Sequence, residues 1–223
     1  MIVAIDGPAG AGKSTVSKEV ARRLGFTCLD TGAMYRAIAW QALQNNVALD
    51  DEAALDKVAN GYHIEFVYED GNPSPAGVLM GGVDVTRAIR TAEVDRAVSL
   101  VSKQPAVRRA LVAQQQRIGN AGDYVVEGRD IGTVVFPDAK LKVFLFASAE
   151  ERARRRVSQN AERGVGSTDY EEVLADIIAR DEIDSSRAES PLVPAADAVM
   201  LDSSDLTIEQ VIEKICALAA ERK

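Results

Sequence analysis

The 223-residue sequence predicts an α/β protein: a parallel sheet wrapped by helices, with a small antiparallel β insertion. Three observations point to that class. Short apolar, β-branched runs alternate with segments of helical periodicity, and the first run leads through a glycine-rich loop directly into a helix. One stretch between two helical segments breaks this alternation, with a polar/apolar strand pattern followed by turn residues.

Taken in order, "IVAI" at 2–5 is short and β-branched and ends at Asp6-Gly7, so it reads as the first strand. Lys13 to Leu24 reads as a helix, because Val16, Val20 and Leu24 recur at one-turn spacing. Tyr62 to Glu69 alternates, with Ile64, Phe66 and Tyr68 on one face and His63, Glu65 and Glu69 on the other. The turn-rich "EDGNPSPAG" and then "VLMGG" complete the insertion. "DYVVEG" and "KLKVFLFA" read as further central strands, the second followed by the charged helix "SAEERARRRV" with Ser148 as its cap. "DAVMLDSS" reads as the last strand. Thr207 then opens the C-terminal helix through a capping box with Gln210, with Ile208, Val211, Ile212 and Ile215 as its apolar face.

An apolar fraction of 47% and a charged fraction of 27% suit a globular chain that folds without external staples. Cys28 and Cys216 lie far apart without metal-type spacing, which disfavours a disulfide framework or zinc site and suits a reducing compartment. No apolar run approaches the roughly 20 residues of a membrane span, and the start lacks a basic leader, so a cytoplasmic protein is expected. The net charge of −8 disfavours a nucleic-acid polymer as partner, yet leaves arginines free to gather in one anion pocket. The single histidine, His63, falls on the solvent face of the insertion and is not expected to be catalytic.

The strongest motif is "GPAGAGKST" at 7–15, which fits G-x-x-x-x-G-K-[ST] after a strand and before a helix. Gly7, Pro8, Ala9, Gly10, Ala11 and Gly12 form the turn of such a loop, with backbone N–H groups from all but the proline. The helix N-terminus adds its dipole, Lys13 a point charge, and Ser14 a hydroxyl for Mg²⁺, with Thr15 a second candidate. The N-K-x-D tetrapeptide of guanine-nucleotide switches is absent, and 223 residues leave little room for a motor. A small-molecule phosphotransferase is the economical reading.

An acceptor that is itself a phosphate needs charge neutralisation more than a proton-abstracting base, because a phosphomonoester is mostly dianionic near neutral pH. The chain matches this with one histidine but arginines at 36, 108, 129, 152, 155, 156, 180 and 187. Arg129 stands out because it follows an apolar strand and a glycine, where open α/β sheets place ligands.

Taken together, "IDGPAGAGKST", "LDTGAMYRA", "EGRDIGTVVFPDA", "RARRR" and "RDEIDSSRAESPLVPAADAVMLDSS" closely resemble bacterial cytidylate kinases, over nearly the whole chain and in order. The resemblance implies the phosphate-loop NTPase three-layer fold and transfer of the ATP γ-phosphate, with Mg²⁺, to CMP or dCMP by direct in-line displacement. It implies a single kinase chain with a core at about 1–35, 90–150 and 190–223, an acceptor-binding insertion at about 36–90, and a helical lid at about 151–172, acting as a monomer. By the same resemblance Thr31, Gly32, Arg36 and Arg129 approach the acceptor phosphate. Ser99, Arg108 and Asp130 approach cytosine, and Asp184 and Arg187 the ribose and phosphate, with Arg180 a further substrate-binding candidate. Arg152, Arg155 and Arg156 close over the donor; Lys13, Arg129, Arg156 and Arg187 carry the catalysis. Thr31 stands where serine is familiar in the family, and "GKST" where "GKGT" is common; both keep a hydroxyl.

Within this frame Arg129 forks onto phosphate oxygens, while Asp130 accepts from the 4-amino group of cytosine and repels the carbonyl of uracil. Two other roles stay open for Asp130, orienting a Mg²⁺-bound water or pairing with an arginine. In "DTGAMYR", Gly32 permits a tight turn and Arg36 lies one helical turn on, although Asp30 or Thr31 could simply cap a helix. Arg180, Asp184 and Arg187 share one face if their helix continues, which also describes a solvated ladder of salt bridges. Trp40 and Met34 read as packing residues. A regulatory nucleotide-binding protein, or a kinase for another acceptor, remains the alternative.

Overall fold

A computed structural model describes residues 1–164 and 166–222. Five strands, β1 (Ile2–Asp6), β2 (Thr27–Asp30), β6 (Tyr124–Gly128), β7 (Leu141–Phe146) and β8 (Val199–Asp202), form a sheet ordered β2-β6-β1-β7-β8. Every pairing in it is parallel. Helices α1 (Lys13–Leu24) and α8 (Ile208–Ala220) cover one face, joining Val3, Ile5, Val143 and Leu145 to Val16, Val20, Ile212 and Ile215. The other face presents Ala4, Leu29 and Val126 to Ile131, Val135 and Phe136. Both faces are therefore dry, which is why the central strands read as nearly continuous apolar runs.

A second apolar cluster is built by α2 (Thr31–Gln44), α3 (Glu52–Gly61), α4 (Ala92–Val101) and α5 (Pro105–Gly119). The antiparallel sheet of β3 (Ile64–Tyr68), β4 (Pro75–Met80) and β5 (Val83–Asp84) packs on it through Ile64, Val78 and Met80. Last, α6 (Ala149–Arg163) and α7 (Tyr170–Ser185) meet through Ala153, Val173 and Ile177.

Most expected elements lie where the pattern put them, including the capping box of Thr207 and Gln210 and the cap of Ser148 on Glu151. One detail differs. Ile208 is 55% exposed, so the apolar face of α8 begins at Val211. After Arg129-Asp130 the chain leaves β6 and Ile131–Val135 coils into a single π-helical turn, burying Ile131, Gly132 and Val135. Met34 is fully buried and Trp40 packs against the same cluster, and both cysteines are free thiols.

The parallel register decides the site. Ile5 pairs with Glu127 and Asp6 with Gly128, while Asp30 pairs with Glu127 on the other side. The loops that follow β1, β2 and β6 thus emerge side by side at the carboxyl edge of the sheet, where open parallel sheets bind ligands. None of the described helices is long and apolar enough to cross a membrane.

Candidate functional site

The phosphate loop turns on three glycines with positive φ: Gly7 (147°), Gly10 (79°) and Gly12 (91°). At Gly7 a Cβ would stand 1.9 Å from the Leu145 carbonyl oxygen, so only glycine lets the loop leave β1 against β7. Gly12 is the N-cap of α1 and no side chain caps that helix, whereas side chains of Asp30, Asp51, Thr91, Ser148, Asp169 and Thr207 cap six others. The first amides of α1 remain available to an anion and no acidic side chain lies in that turn to repel one.

Lys13 is buried and its Nζ folds back to donate to the carbonyls of Gly7 (2.8 Å) and Pro8 (2.7 Å). Burial, together with the positive charge of Arg129, pushes the Lys13 ammonium well below its usual range. Ser14 Oγ donates to Glu127 Oε2 at 2.9 Å, and Thr15 is exposed. Glu127 is 3% exposed and its Oε1 has no protein partner; burial, reinforced by Asp30, raises its pKa. A bound cation would relieve that arrangement by neutralising the Glu127 carboxylate. Ser14 Oγ and the orphaned Glu127 oxygen fit a hard cation or its water, and among the described residues no three acidic or thiol or imidazole groups gather to cage one. That donor set suits Mg²⁺, which keeps waters and leans on substrate phosphates.

The turn carrying Arg129 and Asp130 is fastened to β1. Asp6, 5% exposed, accepts from the amides of Ile131 (2.8 Å) and Gly132 (2.7 Å). Burial dominates its ionisation and raises its pKa to about 6 despite those two bonds. Thr31 fastens the next loop, its Oγ1 donating to the Glu127 carbonyl at 2.7 Å, so this hydroxyl is committed to the backbone rather than free. Asp30 caps α2 by accepting from Ala33 at 3.0 Å, and Gly32 beside it is exposed.

Arginines and carboxylates then interlock. Arg36 pairs with Asp95 and donates to the Ile89 carbonyl at 3.3 Å. Arg129 Nε donates to Asp184 Oδ2 at 2.9 Å, and Arg187, one turn on, pairs with Asp184 Oδ1 and donates to Ser102 Oγ at 2.9 Å. Burial works against the Asp184 carboxylate, but Arg129, Arg187 and Arg180 outweigh it and hold its pKa below the ordinary range. Arg180 is pushed down to about 10 by burial and by Arg129, and its Nε has no protein partner. α7 ends at Ser185, so Arg187 lies past the helix, and the shared face expected of all three residues holds only for Arg180 and Asp184.

Asp130 forms a buried ion pair with Arg108, whose Nη1 reaches the Ser102 carbonyl at 3.1 Å and whose guanidinium lies 5.3 Å from the Tyr35 ring centre. Of the three roles open to Asp130, pairing with an arginine is the contact formed in this state. Ser99 is half-buried one turn away, its carbonyl accepting from Ser102 Oγ at 3.2 Å.

The three arginines of α6 expected to form a lid do not act as one group. Arg152 is buried, with its guanidinium spread over the Ala147 carbonyl (3.0 Å), the Ala9 carbonyl (3.1 Å) and Asp181 (2.6 Å), so it braces the back of the phosphate loop. Arg155 turns to Glu151 and to Ser203, whose carbonyl it meets at 2.6 Å. Arg156 lies 3.9 Å from Asp95. Positions three and four apart on α6 thus face three different walls. Four carboxylates escaped sequence reasoning: Asp6, Asp95, Glu127 and Asp181. Only "VVEGRD" carried a signal, since Glu127 ends a buried strand where an unpaired acid is costly.

Parallel sheet, glycine loop, uncapped helix and a cluster of arginines define the class: a phosphate-loop protein of the kinase type. Shikimate kinase from Bacteroides thetaiotaomicron shares that fold at 12% identity, with a TM-score of 0.51 over 99% of this chain and 98% of its own. A family model for cytidylate kinase matches residues 3–221, and the chain belongs to the cytidylate kinase family. The cytidylate kinase of Geobacillus sp. is 48% identical over 220 residues, 99% of this chain and 96% of that protein. The bifunctional pantoate ligase/cytidylate kinase of Trichormus variabilis is 51% identical over 214 residues, taking in 96% of this chain. The chain spans only 40% of the length of that relative.

Proposed function

We propose that the protein is an ATP-dependent cytidylate kinase that phosphorylates CMP and dCMP by direct in-line transfer, as a cytoplasmic monomer in pyrimidine nucleotide metabolism. One observation carries the reading: the free amide end of α1, with Lys13, lies within electrostatic reach of Arg129 and Arg180, while Asp184 links Arg129 to Arg187 and Arg36 acts on Arg180. Two anionic groups seated there would meet end to end.

In this reading the loop from Gly7 to Thr15 grips the donor phosphates, and Lys13 leaves the Gly7 and Pro8 carbonyls to follow the transferred charge. Mg²⁺, held by Ser14 with Glu127 behind it, would neutralise charge shared between the β- and γ-phosphates. Arg36 and Arg129, with Thr31 and Gly32 shaping the turn, take the acceptor phosphate. Ser99, Arg108 and Asp130 read cytosine, while Asp184 and Arg187 meet the ribose and phosphate. Arg156 reaches the donor as the lid at about 151–172 closes, with Arg152 and Arg155 behind it, and the insertion at about 36–90 closes over the acceptor. Closure excludes the water that would otherwise consume ATP. No histidine is needed, because a phosphomonoester near neutral pH already carries the attacking charge.

The deciding experiment is ADP release from ATP·Mg²⁺ with CMP, dCMP, UMP, AMP and GMP offered separately, beside a control without acceptor. Turnover confined mainly to CMP and dCMP is expected. Preference for another nucleotide would overturn the base pocket, and acceptor-independent behaviour would overturn the kinase reading.

A further inference from the structure

Asp95 lies in the first turn of α4, and arginines from two other helices meet at it. Its Oδ1 pairs with Nη2 of Arg36 from α2, and its Oδ2 lies 3.9 Å from Nη2 of Arg156 from α6. Arg180 of α7 feels the charges of Arg36 and Asp95, and its Nε is buried without a protein partner. One planar anion therefore divides its two oxygens between guanidinium groups of two helices, which is the coordination two oxygens of a phosphate would adopt.

Asp95 also keeps a home of its own. A carboxylate in a helix's first turn is stabilised by the amides and dipole there, with or without arginines. It can thus yield both arginines without becoming a stranded charge, and a dianionic phosphate competes for two guanidinium groups better than a single carboxylate does.

We propose that Asp95 is an internal stand-in for the acceptor's phosphate monoester. It holds Arg36 and Arg156 to each other in the resting enzyme, and the arriving acceptor phosphate displaces it. Arg156 is then released toward the donor only when an acceptor is seated. This rests on the reading of Arg36 as an acceptor-phosphate ligand. Two consequences follow: acceptor binding is weakened by the cost of displacing Asp95, and ATP hydrolysis without acceptor is held down because Arg156 is detained.

The test uses Asp95→Asn, which preserves shape and removes charge, and compares CMP with cytidine, which lacks the phosphate. Titration calorimetry without ATP should show CMP binding tightened by several-fold, up to about tenfold, with cytidine unchanged. Acceptor-free ATP hydrolysis should rise by a similar factor. A loosened fold would weaken CMP and cytidine alike, so a change in their ratio reports displacement and not general damage. Unchanged or weaker CMP binding relative to cytidine would overturn the proposal and make Asp95 a support for Arg36. Arg36→Ala runs in parallel and should erase the advantage of CMP over cytidine. Failure of Asp95→Asn alone sinks the stand-in role, whereas an intact CMP advantage in Arg36→Ala sinks the acceptor reading and the proposal with it.

Discussion

Asp130 and Asp6 are both buried carboxylates at the end of the sheet, and they answer differently to substitution. Asp130 is paired with Arg108 in a dry site, so Asp130→Asn leaves an uncompensated guanidinium. Loss of about 3 kcal/mol or more of stability is expected in denaturant unfolding, larger than for an exposed pair. The same variant should narrow the preference for CMP over UMP by about 1–3 kcal/mol in kcat/KM, and an unchanged ratio would remove Asp130 from base reading. Asp6 instead accepts two amide bonds while Lys13 and Asp130 act on it from opposite signs. Its pKa rises from 3.8 to about 6, so the folded state holds the proton more tightly than the unfolded chain. Its contribution is complete below about pH 3.8 and lost as pH climbs through about 6, on the order of 3 kcal/mol. Unfolding measured from pH 4 to pH 8 should show wild type losing stability relative to Asp6→Asn up to about pH 6 and then running parallel to it. Neither residue's role was visible as a pattern. "EGRD" marked a charged pair at a strand end, but the partner 22 residues away and the amides held by a side chain on another strand appear only once β1 and β6 are adjacent.

At the level of elements, the phosphate loop depends on how closely β1 approaches β7. Gly7→Ala places a methyl group on the Leu145 carbonyl oxygen, and β7 is paired on both sides, so the strand cannot step aside cheaply. Overpacking and an unsuitable φ together should cost about 3 kcal/mol or more, seen as a lowered denaturation midpoint. ATP binding should weaken far more than CMP binding, since the loop and not the acceptor turn is displaced. The elements themselves were largely legible. Apolar β-branched runs buried on both faces, the loop between β1 and α1, and the capping box of α8 are local features with local causes. The π-helical turn at Ile131–Val135 was not legible, because an apolar run after a strand end does not specify the turn, and the Asp6 carboxylate that accepts from its first amides lies on another strand. The dispersal of Arg152, Arg155 and Arg156 was equally hidden, since helical spacing says which residues share a face and nothing about the walls that face meets.

For the whole molecule, one apolar cluster joins the sheet to α1 and α8, while another binds the small β sheet to α2, α3, α4 and α5. In the proposed reading, donor and acceptor meet where the loops of the first adjoin the helices of the second. A ligand bound there stabilises the fold by mass action, so CMP at 100 times its Kd should add about 2.7 kcal/mol. For a chain of this size that is a rise in Tm of roughly 5–10 °C, with UMP giving less at equal concentration. Lys13→Ala should keep the CMP shift and lose that of ATP, and loss of both would mean that the two halves do not bind separately. By itself the sequence determined the parallel α/β class, the phosphate loop and the list of arginines, because these follow from short-range periodicity and fixed spacing. Only the tertiary structure decided which carboxylate each arginine meets: Asp95 for Arg36, Asp184 for Arg129 and Arg187, Asp130 for Arg108, Asp181 for Arg152. Charge pairing across a cleft is settled by distance and desolvation between residues remote in the chain, and neither quantity is written in local order.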